Sequence, residues 1–240
     1  MCGRITQHRS QVAYAHAMGW NVDDFGRHGG GSGRGPSWNV APGTAPWLMH
    51  RFGDDGEHID QVTWGYRPSW AAEKKIPIAI NARIEKAATG PYFRSLWKSG
   101  RAIVPADGWY EWTGEKGHKQ PWYIRRRDDR PMFLAAITGY RPEKEPGENT
   151  GFVIVTAAAE GGLVDVHDRR PVVFSAEDAA LWMDNSLPPD QAEHLARAVA
   201  LPPDVFEWYK VSTDVNRVGN NNAQLIEPIE SDVATEEDDA

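Results

Sequence analysis

Apolar positions along this chain gather in short blocks with turn-forming residues at their borders. The blocks at 45–52 (APWLMHRF), 58–67 (HIDQVTWGYR), 101–106 (RAIVPA), 120–126 (QPWYIRR), 131–140 (PMFLAAITGY), 151–159 (GFVIVTAAA) and 170–175 (RPVVFS) are mostly rich in β-branched and aromatic residues. Such residues suit a pleated, half-buried surface, and the Gly, Pro, Asp or Asn at the borders stops each run, so all seven are predicted strands. Helical signals are fewer. Residues 9–18 (RSQVAYAHAM) read as a short helix, and 91–100 (PYFRSLWKSG) as one ending at Gly100. Ser175 can cap AEDAALWM, and PPDQAEHLARAVAL opens on prolines, which suit a first helical turn. Residues 26–37 (GRHGGGSGRGPS) read as a surface loop, because they lack the Lys-Ser/Thr ending of a phosphate-binding loop. Strands outnumber helices and alternate with them irregularly. The expected fold class is therefore α+β, a single domain on a largely antiparallel, curved, barrel-like β-sheet with peripheral helices.

At 240 residues the chain can bury a sizeable core as one domain, expected over residues 2–228. No stretch approaches the roughly 20 apolar residues of a membrane helix. The N-terminus has no apolar core of a secretory signal, and a single cysteine forms no intramolecular disulfide, so the expected location is cytoplasmic. The net charge of −8 argues at first against a nucleic-acid partner. However, from Gly219 onward there are seven acidic residues and no Lys or Arg, so the remaining chain is close to neutral. Residues 229–240 read as an acidic, disordered tail. Any basic groove must come from the local pattern of charge.

Candidate chemistry starts at position 2. The eight histidines form no HxH or HExxH pair, and with one cysteine a zinc site is not expected. That one cysteine is Cys2, which becomes the amino terminus once Met1 is removed. An α-amine has a pKa of about 7.7–8.0, against about 10.4 for Lys, so more of it is neutral near pH 7. It can add to an aldehyde and form an imine, and the thiol one carbon away can close a five-membered thiazolidine. Three other stretches set polar groups among apolar ones. INARIEKAAT (80–89) holds Asn81, Arg83 and Glu85; ADGWYEWTG (106–114) holds Glu111; VDVHDRRPVVF (164–174) holds His167, Asp168, Arg169 and Arg170. Singly, Glu111 reads equally well as an exposed strand residue and His167 as a turn residue. Trp64, Trp70, Trp109 and Trp112 lie near these stretches, and aromatics beside arginines suit stacking on unpaired bases. Trp20, Trp97 and Trp182 are assigned to packing.

MCGR at the start, WNVAPGT (38–44), WGYRPSW (64–70), INARIE (80–85), VPADGWYEW (104–112) and HDRRP (167–171) occur in one order and spacing. In this the chain resembles the SRAP family, named for an SOS response-associated peptidase and better described as abasic-site processing proteins. Its bacterial form is nearest. The resemblance implies covalent shielding of abasic sites in single-stranded DNA, junctions with duplex included, through a thiazolidine between Cys2 and the ring-opened sugar. An abasic-site lyase side activity is also implied. Under that resemblance Cys2 is the nucleophile, Asn81 positions it, and Glu111 and His167 are the acid/base pair. Arg83, Trp112 and Arg169 hold and unstack the DNA, and Arg4, Asn39, Pro42, Trp64 and Trp70 line the groove or pocket. It further implies an α+β architecture, no cofactor or metal, a monomer, no membrane partner, and association with the nucleoid when engaged on DNA.

Two other classes remain open on the residues alone. In an N-terminal-nucleophile amidase or peptidase the same thiol would attack an amide carbonyl. In a non-covalent reader of modified or single-stranded DNA, loss of Cys2 would leave function intact.

Overall fold

The computed structural model describes residues 2–21, 34–53, 56–115 and 117–229. Most of the predicted loop at 26–37, and the acidic tail from Glu230 on, lie outside the described residues. The N-terminal part gives β1 (Ile5–Gln7), helix α1 (Gln11–Ala17), β2 (Ser37–Val40), β3 (Trp47–His50) and β4 (His58–Gln61). Helix α2 (Ser69–Glu73), β5 (Asn81–Arg83) and helices α3 (Ile84–Ala87) and α4 (Arg94–Ser99) follow. The long strands are β6 (Arg101–Ala106), β7 (Gly108–Thr113), β8 (Gln120–Arg126), β9 (Met132–Thr138) and β10 (Phe152–Ala158). The chain continues through β11 (Arg169–Pro171), β12 (Val173–Phe174), helices α5 (Ala176–Trp182) and α6 (Pro189–Ala198), and β13 (Phe206–Lys210).

The strands form two curved sheets, neither closed into a barrel. One runs β13-β8-β7-β1-β2; the other runs β11-β10-β9-β6-β3-β4, with β12 on β9 and β5 on β10. Pairing is antiparallel except for β5, which lies parallel to β10. This is the α+β domain that the apolar blocks predict. Two blocks are redrawn by the structure. The run at 58–67 ends as a strand at Gln61; beyond it Gly65, at φ 145°, turns the backbone, and only single bridges join Trp64 to Phe152 and Tyr66 to Ala79. The run at 170–175 divides at Val172, whose N–H bonds to Val155 of β10 while its carbonyl accepts from Ala135 of β9.

Strand β9 explains how the layers hold together. Its seven residues are all buried, with Met132, Leu134 and Ala136 packing on one side and Phe133, Ala135 and Ile137 on the other. An unbroken apolar run is what a strand covered on both faces requires. The side bearing Leu134 faces a core shared with Trp109 of the first sheet; the opposite side receives α5 and α6.

The N-terminal strand is short, so its hold comes from side chains. Gln7 donates to the carbonyls of Trp47 and Pro105 at 3.0 and 2.7 Å and accepts from Trp47 N–H, stitching β1 to the second sheet. Buried Asp107 accepts from Tyr14 Oη at 2.6 Å and from the backbone N–H of His8 at 2.7 Å, and pairs with Arg9 at 2.9 Å. Gly108 of β7 leaves room for the Tyr123 ring of β8 to cross it and for its hydroxyl to reach Thr6 Oγ1 of β1 at 3.0 Å, since a Cβ there would lie 2.2 Å from that ring. These contacts fix the strand that follows Cys2.

Candidate active site

Cys2 is fully buried in the core between the two sheets. Each sheet reaches it by a different route. From the first, the ladder of β1 on β7 extends beyond Ile5, with Tyr110 N–H donating to the Arg4 carbonyl at 2.9 Å. From the second, Asn81 Nδ2 donates to the Cys2 carbonyl at 2.8 Å. Asn81 is held in turn by the parallel pairing of β5 on β10 and by Trp64, whose Nε1 donates to Ile80 O at 2.9 Å. Burial, with the Glu111 carboxylate adding to it, pushes the Cys2 thiol up, so it is held as S–H.

Alternation along β7 decides which way Glu111 points. Residues two apart share a face, so Glu111 follows Trp109 toward the inter-sheet core, while Tyr110 and Trp112 belong to the outer cluster with Val215 and Leu225. Glu111 is buried, and that burial pushes its carboxyl up to about 7. His167 Nε2 stands 4.0 Å from Glu111 Oε2; the imidazole is 28% exposed and the carboxylate 4%. His167 Nδ1 accepts from the Arg169 backbone N–H at 2.9 Å and lies 2.7 Å from Asp168 Oδ1, so the two residues that follow it hold the ring with Nε2 toward Glu111. Burial draws the His167 pKa below its ordinary value. Asn81 and Glu111 thus act on the second residue directly, and His167 stands behind them beside Glu111. Glu111 is poised to exchange protons near neutral pH and lies deep, while His167 lies nearer the surface.

The other residues singled out in the sequence form three groups. Arg4 donates to Asn39 Oδ1 and to Val215 O and lies 5.8 Å over the Trp112 ring. Asn39 Nδ2 binds the carbonyls of Val215, Arg217 and Asn220, and Trp112 Nε1 donates to Asn216 at 2.7 Å. Arg4, Asn39 and Trp112 therefore tie the site to the segment after β13. Pro42 and Gly43 form a turn in which Gly43, at φ 84°, takes the left-handed conformation. Arg83 and Arg169 lie near each other, because Thr156 pairs with Arg83 and its carbonyl accepts from Arg169. Trp64 is wholly buried against Phe152, in the core that also holds Cys2, and so supports the site from within instead of offering a face to a strand. Trp70 is 39% exposed. It borders a cavity of about 370 Å³ that Tyr66, Ser95, Arg141 and Lys144 also line.

Sequence reading passed over Asp107, Thr156 and Asn216. Asp107 sits in the same stretch as Glu111, and its signal was an acidic residue directly before a glycine between two apolar strands. Among the described residues no group of His, Cys, Asp or Glu is placed to hold a metal ion, and no helix is long and apolar enough to cross a membrane.

Fold and site together define an α+β protein of two open sheets that gathers polar chemistry around its second residue. The chain belongs to the SOS response associated peptidase (SRAP) family, whose sequence profile matches residues 1–218. It is 43% identical over 230 residues to the abasic site processing protein YedK of Escherichia coli, covering 95% of this chain and 100% of the relative. It is 31% identical to the abasic site processing protein YoqW of Bacillus subtilis, covering 95% and 99% of the two chains. A solved structure of a phage-related protein from Bordetella bronchiseptica is 38% identical, with a TM-score of 0.73, covering 88% of this chain and 94% of the other.

Proposed function

We propose that the protein processes abasic sites in single-stranded DNA by forming a covalent crosslink through Cys2. One observation carries this reading. Asn81 and Glu111, distant in sequence, meet at the one residue that can present both an amine and a thiol, with His167 at 4.0 Å from Glu111. The names of the relatives supply the class of lesion.

In the chain as translated, the Cys2 nitrogen is an amide. Loss of Met1 turns it into an amine, and only then are both nucleophiles in place. An abasic deoxyribose is mostly a closed hemiacetal. His167, the more exposed of the pair, takes the proton of the C1′ hydroxyl and a proton returns to the ring oxygen as the C1′ aldehyde opens, so the step gains none overall. The Cys2 amine adds to that carbonyl, and the carbinolamine loses water to give an imine. The thiol then adds to the imine carbon, its proton passing to the nitrogen, and the thiazolidine closes with one water released overall. Glu111 lies where a carboxyl near pH 7 can relay protons between amine, carbinolamine oxygen and thiol. Asn81 holds the Cys2 carbonyl and so limits where the amine can stand. Arg83, Trp112 and Arg169 guide an unstacked strand toward that point. Diversion of the imine to β-elimination would give strand cleavage as a side reaction.

The test is a denaturing gel with abasic single-stranded, abasic duplex and undamaged single-stranded DNA. Wild type should comigrate with the first and much less with the second. Cys2→Ser should give at most a borohydride-trappable imine or cleaved strand, and Cys2→Ala no thiazolidine. Equal adduct yields on abasic single strands and duplex, or full activity in Cys2→Ala, would defeat the reading.

A further inference from the structure

Arg169, proposed above to guide DNA, already holds an anion. Its Nη1 and Nη2 donate to the two carboxylate oxygens of Glu85 at 2.7 and 3.0 Å, and Nη2 also donates to Thr156 O at 2.6 Å. A planar guanidinium gripped at both ends is the geometry in which arginine binds a pair of phosphate oxygens. Glu85 is 39% exposed at its side chain while Arg169 is 11% exposed, so the carboxylate covers the guanidinium on the solvent side. Arg169 keeps the Glu85 carboxyl below the usual carboxylate range, so it stays ionised. Arg83, exposed two residues before Glu85, makes no side-chain hydrogen bond or ion pair among the described residues. One guanidinium therefore holds the carboxylate while the other makes no pair among the described residues, and a strand that takes Arg169 must displace Glu85.

We propose that Glu85 is a specificity-determining residue, an internal stand-in for a backbone phosphate that occupies Arg169 until DNA replaces it. The inference rests on the reading that this groove takes single-stranded DNA. Displacing Glu85 costs the same for an intact strand as for an abasic one, but only the abasic strand is then captured covalently. The carboxylate thus lowers the residence of the protein on undamaged DNA, where it would be idle, without lowering the final yield of adduct.

The experiment measures binding of wild type, Glu85→Gln, Glu85→Ala, Arg169→Ala and Glu85→Gln/Arg169→Ala to an undamaged oligothymidine across a salt series. Adduct formation with an abasic oligonucleotide is followed in parallel. Freed from its partner, Arg169 should gain a phosphate. Glu85→Gln should bind undamaged DNA about three- to tenfold more tightly, with a log–log salt slope steeper by about 0.7. Both effects should vanish in the Arg169→Ala background. A residue that merely braced the fold would weaken binding when changed. Unchanged or weaker binding by Glu85→Gln and Glu85→Ala, in proteins with wild-type circular dichroism and with wild type still forming adduct, would overturn the inference alone. So would tighter binding that persists without Arg169. A wild type that neither binds nor crosslinks would overturn the DNA reading and this inference with it.

Discussion

Glu111 and His167 are moved toward each other by one cause, burial, acting on groups of opposite charge type. Desolvation favours the neutral form of each, raising the carboxyl to about 7 and lowering the imidazole below its ordinary value. Between those two pKa values both groups are uncharged, so the carboxyl is ready to give a proton and the imidazole ready to take one. The rate of adduct formation should therefore inflect near pH 7 as Glu111 ionises. Glu111→Gln should lose the inflection and slow the reaction about 10- to 100-fold, checked by single-turnover crosslinking from pH 5 to 9. The same burial has a stability sign. The folded-state pKa of Glu111 lies above its unfolded value, so stability is complete below about pH 4.5 and falls as pH rises through about 7. Glu111→Gln should thus be more stable than wild type at pH 8, by up to about 3 kcal/mol, and no different below pH 4.5. Urea melts at the two pH values check it.

Among the elements, β6, β8, β9 and β10 were legible because each carries enough apolar surface to declare itself. β1, β5 and β13 were not, for physical reasons. β5 is three residues whose pairing is supplied by β10, and β1 is held by Gln7 and Asp107, which no local pattern reveals. β7 was read only as a polar-among-aromatic stretch, although its alternation is what turns Glu111 inward. The side chains that anchor these short strands should carry unusual weight. Asp107→Ala leaves Tyr14 Oη and the backbone N–H of His8 without their acceptor, and should cost about 2–4 kcal/mol by urea denaturation. It should also slow adduct formation by loosening the strand behind Cys2. Trp64→Phe keeps most of the packing but removes one of the two donors to the Ile80 carbonyl beside Asn81, leaving the Ile154 N–H, and should cost about 0.5–1.5 kcal/mol. If Trp64→Phe crosslinked normally while Asn81→Ala did not, the link from Trp64 to the site would be severed.

Across the whole molecule, the site joins the residue ahead of β1, the middle of the chain and the segment before β11, and no spacing in the sequence could bring them together. Residue types and their polar-among-apolar settings made Cys2, Asn81, Glu111 and His167 candidates; only the family resemblance grouped them, and the fold gives the distances. The overall charge of −8 was no guide to the groove, because much of it resides after Gly219 while Arg4, Arg83 and Arg169 lie close to the site. A short line of cations should give a shallow salt dependence. Arg83→Ala should flatten the log–log slope for single-stranded DNA by about 0.7, whereas Trp112→Ala should weaken binding with little change in slope. The central claim is that an amine and a thiol on Cys2 are both consumed by one sugar carbon. It is tested most directly by mass spectrometry of the N-terminal peptide from the purified adduct, after treatment with thiol- and amine-blocking reagents. The account predicts a peptide that begins at Cys2, carries the sugar remnant with loss of one water, and takes up neither reagent. A peptide that retains Met1, or an adduct whose Cys2 thiol is still alkylated, would contradict it.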